Sequence, residues 1–348
     1  MNNLRVLVVE DSLVIRQLLR HVLEEAGFEV IGEAVNGLEA VEFVSRVRPD
    51  VITMDVHMPV MDGYSAARRI METHPIPIVV VTASSNIGDS VTAMQVLEAG
   101  AITVLQKPQG PGHPHFQQDV AELVRTLKIA AEVKLVRRRG PRQADTQAFA
   151  GVQVPATNTT LPPRMVLIGA STGGPAALKT FLSHLQPQLP WPVLIVQHIS
   201  PGFLPSLCEW LNLSSAIPVR VAEFGETVQP GHAYLAPDLC HMQVDDQGRV
   251  LLSDSDARTM LRPSVAQLFS GALRYLNGQC IAILFSGMGQ DGVEEMLQLR
   301  QHGALTLAQH PDTVVVNGMP GEAVKRGAAG QVLTPEQMAE LVMKLARA

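Results

Sequence analysis

Through residues 4–125, short aliphatic runs alternate with segments whose apolar positions recur at helical spacing. The runs are Leu4–Val9, Glu29–Ala34, Val51–Met54, Ile76–Thr82 and Ile102–Leu105, with amphipathic stretches such as Val14–Ala26 and Gly37–Val47 between them. Near-continuous aliphatic runs are what strands buried on both faces require, so the pattern predicts a parallel sheet flanked by helices. Five strand–helix repeats fit a flavodoxin-like doubly wound domain over residues 1–125. From Val120 the spacing becomes that of one long helix ending in the basic run Arg137–Arg139. The stretch after it is rich in Pro, Gly, Thr and Gln, so 126–163 reads as helix and then flexible linker.

A second unit, 164–348, repeats the alternation. Its strand candidates are Met165–Gly169, Pro192–Gln197, Val219–Ala222, Ala233–Ala236, Cys280–Ser286, Ala304–Ala308 and Gln331–Leu333. Met242–Asp245 and Arg249–Ser253 flank the turn residues Asp246-Gln247-Gly248, which predicts a β-hairpin. The expected architecture is α/β throughout: a flavodoxin-like doubly wound domain, then a second doubly wound parallel α/β domain with an inserted β-hairpin.

Composition narrows this picture. A chain of 348 residues is long enough for two cores, and an aromatic content of 4% makes those cores aliphatic. A net charge of −6 and no basic face after the linker argue against a nucleic-acid partner, and no helix-turn-helix pattern appears there. Cys208, Cys240 and Cys280 lie far apart without CxxC spacing and read as reduced thiols. No apolar run approaches the roughly 18 residues needed to cross a membrane. The chain opens directly on a strand-like run, so a soluble cytoplasmic protein without membrane insertion is expected. His113, His115, His232, His241 and His302 lack metal-ligand spacing and read as loop or surface residues.

Ligands of doubly wound sheets sit at the carboxyl ends of strands. In the first unit those ends carry Glu10 and Asp11, then Asp55, Thr82 and Lys107. Three converging carboxylates repel one another unless a hard cation neutralises them, and oxygen ligands suit Mg²⁺. A carboxylate beside such an ion can accept a phosphoryl group as an acyl phosphate, with a hydroxyl and a lysine balancing its oxygens.

In the second unit the first strand runs into Gly169-Ala170-Ser171-Thr172-Gly173-Gly174-Pro175, a glycine-rich strand-to-helix turn. A dinucleotide cradle would want an acidic residue after the next strand, where Gln197-His198 stands. An α/β-hydrolase elbow is suggested by Gly169–Gly173 with Asp291 and His310, although that nucleophile normally follows several strands of its sheet. A third reading joins Ser171, His198 and Asp291, each after a separate parallel strand. There the imidazole takes the serine proton, the carboxylate fixes its tautomer, and backbone N–H groups near Ser171 and Met288 hold an oxyanion.

The span Leu4–Arg125, with Lys107-Pro108 and the stretch Met58–Gly63 after Asp55, resembles the receiver domain of two-component response regulators. The resemblance implies Asp55 as phosphoacceptor, Glu10 and Asp11 as support for Mg²⁺ beside it, and Thr82 and Lys107 as phosphoryl contacts. It also implies a chemotaxis-type sensor histidine kinase as donor. Receivers usually carry Tyr or Phe three residues before the lysine, where this chain has Val104. The order of GASTGG, Gln197-His198 and Gly287-Met288-Gly289-Gln290-Asp291-Gly292 is similar to the CheB family of chemotaxis protein-glutamate methylesterases. So are Arg262-Pro263-Ser264-Val265, Tyr234–Pro237 and Ala308–Gly321, across Arg164–Leu345. That implies Ser171 as nucleophile, His198 as general base then acid, Asp291 as its orienter, Met288 N–H as oxyanion donor and Thr172 beside the nucleophile. The implied reaction is cofactor-free hydrolysis of glutamate γ-methyl esters on chemoreceptors, with glutamine deamidation by the same chemistry. It also implies that the unphosphorylated receiver covers the site. Leu261 replaces a histidine often seen before the RPSV stretch. The rival class is a non-enzymatic regulator whose second domain only binds a partner.

Overall fold

The computed structural model describes residues 3–83, 94–97, 99–133, 163–254 and 261–347. The run Arg137–Arg139 and the linker beyond 133 up to 162 lie outside them. The chain divides into two compact units, Met1–Pro141 and Arg142–Ala348.

In the first unit β1 (Arg5–Val9), β2 (Glu29–Ala34), β3 (Val51–Met54), β4 (Ile78–Thr82) and β5 (Thr103–Gln106) form one parallel sheet in the order β2-β1-β3-β4-β5. Helices α1 (Leu13–Glu25), α2 (Gly37–Arg46), α3 (Gly63–Thr73) and α4 (Phe116–Glu132) cover it. The strands that read as unbroken aliphatic runs are the inner ones: β3 and β4 are buried at every position. Asp62 caps α3, its Oδ1 accepting the Ser65 N–H at 2.7 Å. Gly63 opens that helix against the end of β3, where a Cβ would lie 2.1 Å from the backbone oxygen of Asp55. Backbone cannot yield as a side chain can. Gly63→Ala is therefore expected to destabilise the unit by about 2–4 kcal/mol, measured by denaturant unfolding; a wild-type midpoint would contradict this.

The second unit centres on β6 (Met165–Ala170), which begins the unit yet lies in the middle of its sheet. Beside it run β7 (Val193–Gln197) and β12 (Cys280–Leu284), then β8 (Val219–Val221), β9 (Ala233–Leu235), β13 (Leu305–Gln309) and β14 (Gln331–Leu333). The order is β14-β13-β12-β6-β7-β9-β8, with every pairing parallel. The expected hairpin is β10 (His241–Val244) paired antiparallel with β11 (Val250–Ser253). Helices α5 (Gly174–Ser183), α6 (Leu204–Asn212) and α10 (Pro335–Leu345) pack together. So do α7 (Val265–Leu276), α8 (Val293–Gln301) and α9 (Met319–Lys325). Met242, Val244 and Val250 of the hairpin share a core with Leu268, Phe269 and Ala272 of α7, so the insertion completes that layer. His241 departs from its expected surface role: it lies on the face of β10 opposite Met242 and Val244, and that face is covered too, leaving it 1% exposed. Burial also pushes the Cys280 thiol up to about 12, so it stays protonated.

Candidate functional site

Two strand-end clusters stand out, one in each unit. In the first, β1 ends in Glu10 and Asp11 and β3 in Asp55, and their oxygens lie within 4.8 Å of one another. The carboxyl ends of β4 and β5 add Thr82, buried, and Lys107, whose N–H donates to the Thr82 carbonyl at 2.9 Å. Lys107 Nζ reaches Asp55 Oδ2 at 2.8 Å and Glu10 Oε2 at 2.7 Å. All five residues predicted from the sequence thus meet at one sheet edge.

The electrostatics of this edge are those of an acidic cluster around one lysine. Burial and the neighbouring Asp55 push the Glu10 carboxyl above its ordinary value, although Lys107 and the Ser12 N–H oppose this. Burial tends to lower the Lys107 ammonium, but its bonds to Asp55 and Glu10 outweigh that and raise it. One lysine among three carboxylates leaves net negative charge in a half-dry site, and the all-oxygen donor set fits a hard divalent ion. The sequence reading missed Arg16. Its side chain leaves α1 to bind the carbonyls of Glu10 at 2.7 Å and Asp11 at 3.2 Å, and Glu33 Oε2 at 3.0 Å, which fixes the acidic turn. Val104 is buried in β5 opposite Val80, so no aromatic ring stands at that position.

In the second unit the central strand β6 delivers Ser171, and its neighbours β7 and β12 lead into His198 and Asp291. The turn after β6 depends on Gly173, which adopts φ 77° and would place a Cβ 2.4 Å from Val315. Gln197 Nε2 donates to the carbonyls of both Ser171, at 2.9 Å, and His198, at 2.8 Å. His198 Nε2 meets Asp291 Oδ2 at 3.0 Å, which leaves Nδ1 as the ring nitrogen for another partner. Among the described residues Ser171 Oγ makes no hydrogen bond to it. Burial pushes the Asp291 carboxyl up, but His198 and the N–H groups of Val265 and Ala266 outweigh this and hold it below the ordinary carboxylate value.

Ser286 is fully buried beneath the turn. Its Oγ donates to the Thr172 carbonyl at 2.8 Å and accepts the Val316 N–H at 2.9 Å. Its own N–H donates to Gln309 Oε1 at 2.7 Å. Among the described residues the N–H groups of Thr172 and Met288 donate to no protein acceptor, so both are available to an incoming oxygen. His310 follows β13, one strand beyond β12, and its Nδ1 accepts the Asp312 N–H at 3.2 Å. Asp291 is bonded to His198, and not to His310 as the elbow reading would want. Leu261 is 39% exposed beside the Arg262–Val265 stretch.

One chain thus carries an acidic strand-end cluster in its first unit and Ser171, His198 and Asp291 at adjacent strand ends in its second. The receiver family, "Response regulator receiver domain", matches residues 6–115, and the family "CheB methylesterase" matches residues 166–342. The chain belongs to the CheB methylesterase family. It is 56% identical over 344 residues to "Protein-glutamate methylesterase/protein-glutamine glutaminase 3" of Hahella chejuensis, covering 98% of each chain. A second such protein, numbered 4, from Geobacter metallireducens is 44% identical, covering 98% of this chain and 99% of that one. The crystal structure of the Thermotoga maritima CheB methylesterase catalytic domain superposes with a TM-score of 0.51 at 34% identity, covering 53% of this chain and all of that one. No helix among the described residues is long and apolar enough to cross a membrane.

Proposed function

We propose that this protein is a phosphorylation-activated protein-glutamate methylesterase that hydrolyses glutamate γ-methyl esters on chemoreceptors and deamidates glutamines at equivalent positions. The observation that carries the reading is the His198–Asp291 pair beside Ser171 at three adjacent strand ends, within a chain matched along nearly its whole length to proteins of that name.

Ser171 Oγ attacks the ester carbonyl as His198 takes its proton at Nδ1. Asp291, bonded to Nε2, holds the tautomer that leaves Nδ1 free and stabilises the imidazolium. The developing oxyanion is received by the N–H groups of Met288 and Thr172. His198 then returns the proton to the leaving methoxide, giving methanol and a glutamyl ester of Ser171. Water, deprotonated by the same imidazole, attacks that ester and frees Ser171 and the glutamate. With glutamine the leaving group is ammonia. Methanol release from methylated receptor, measured with and without a small phosphodonor, tests the whole scheme: no release under either condition would overturn it.

In the first unit Asp55 accepts the phosphoryl group from a chemotaxis-type histidine kinase, and Lys107 and Thr82 hold its oxygens. Glu10, Asp11 and Asp55 would hold Mg²⁺, which supplies the positive charge that offsets the approaching phosphodonor. Removing divalent ions with EDTA is expected to abolish stimulation by acetyl phosphate while leaving basal methanol release intact, and excess Mg²⁺ should restore it. Stimulation that survives exhaustive chelation would count against this site.

A further inference from the structure

Ser264 stands where the residue capping α7 should be, but its side chain makes no capping bond. Its hydroxyl instead donates to Asp291 Oδ1 at 2.9 Å, and the residue is completely buried. The capping is done by Asp291 itself: Oδ2 accepts the Val265 N–H at 2.7 Å and Oδ1 the Ala266 N–H at 3.1 Å. With His198 the carboxylate thus accepts four hydrogen bonds, three of them from the start of α7.

We infer that Ser264 is a positioning residue for the esterase reaction: its hydroxyl, with the N-terminus of α7, fixes the rotation of the Asp291 carboxylate so that Oδ2 faces His198. This rests on the proposed roles of Ser171, His198 and Asp291. The backbone donors hold one oxygen each, the Ala266 N–H at the longer distance; the Ser264 hydroxyl adds a second, shorter bond on Oδ1 and narrows the rotation left about Cβ–Cγ. The hydroxyl also draws negative charge away from the Oδ2 side. Facing this pair are the His198 imidazole and, on α8, Glu295, whose carboxyl burial and the charge of Asp291 push upward, with Glu294 beside it. Arg262 lies two residues before Ser264.

Ser264→Ala in the full-length, phosphodonor-saturated protein tests the inference. The expected kcat for methanol release falls about tenfold, the rate equivalent of one charged hydrogen bond, with KM held within about twofold. Without the hydroxyl the carboxylate charge is less dispersed and attracts an imidazolium more strongly. The acid limb of kcat/KM therefore moves to higher pH. Ser264→Cys, a weaker donor of similar size, should fall between the two. An acid limb that does not rise, or a loss confined to KM, overturns the inference. Ser171→Ala is measured in parallel: if that variant remains active, the triad itself is wrong, whereas a dead Ser171→Ala beside an unshifted Ser264→Ala removes only the role of Ser264. Should Ser264→Ala not melt cooperatively, the Ser264→Cys profile alone decides.

Discussion

Ser171→Ala is expected to lower methanol release from methylated receptor by at least about 10⁴-fold while leaving the protein folded. The size of the effect follows from the chemistry. Without the hydroxyl no glutamyl ester can form, and only binding and the oxyanion donors remain to assist water. The fold should not notice. The turn is fixed by main-chain bonds, Ser171 N–H to the Ser286 carbonyl at 3.0 Å and Gly174 N–H to the Ser171 carbonyl at 2.8 Å, and by Gln197 from β7. None of these uses the serine side chain. An unchanged melting curve with vanished activity is the expected pair of results. Partial activity with a single-step loss of less than tenfold would show that another group attacks the ester. His198→Ala and His310→Ala complete the assignment: if the first is active and the second dead, the base is His310 and the elbow arrangement replaces the proposed one.

The second large effect concerns the other unit. Asp55→Asn should keep basal esterase activity and lose its rise on adding a phosphodonor, so that stimulated and unstimulated rates coincide. Asparagine has the shape of aspartate and retains an oxygen to accept the Val56 N–H, now 2.7 Å from Asp55 Oδ1. What it lacks is the carboxylate that the proposed phosphorylation requires as its acceptor. It also removes one of the three clustered carboxylates, so the acidic edge is relieved and not strained. Equal stimulation of variant and wild type would place the phosphoryl group elsewhere. Val104 makes the outcome informative about transmission as well. If wild-type stimulation is normal, the signal leaves Asp55 without an aromatic side chain at that strand position.

Much of this was legible in the sequence, for a physical reason. Strands such as β1, β3 and β6 are aliphatic at almost every position, so a polar residue that ends the run marks a carboxyl end, where a doubly wound sheet binds its ligands. Glu10, Asp55, Ser171 and His198 announce themselves in this way. Residues that act through partners distant in sequence do not. Arg16 reads as an ordinary polar position of an amphipathic helix, and only the fold brings it under the Glu10 and Asp11 carbonyls. Ser286 reads as the end of a strand, yet its hydroxyl serves Thr172, 114 positions away, and Val316. Ser264 stands out in the sequence only as part of the Arg262–Val265 stretch, and its bond to Asp291 depends on how β12 and α7 converge. His241 gives no such signal, because a hairpin strand inserted into an α/β domain can be covered on both faces by elements that short-range spacing does not reveal.

Gln197 joins the carbonyls of Ser171 and His198 through a single amide nitrogen, across two neighbouring strands. The brace acts on the main chain and ignores what the two side chains are. The spacing between residues 171 and 198 is thus set by the scaffold. Such a frame is interchangeable in its working parts: a thiol at 171 would stand on the same mounting as the hydroxyl.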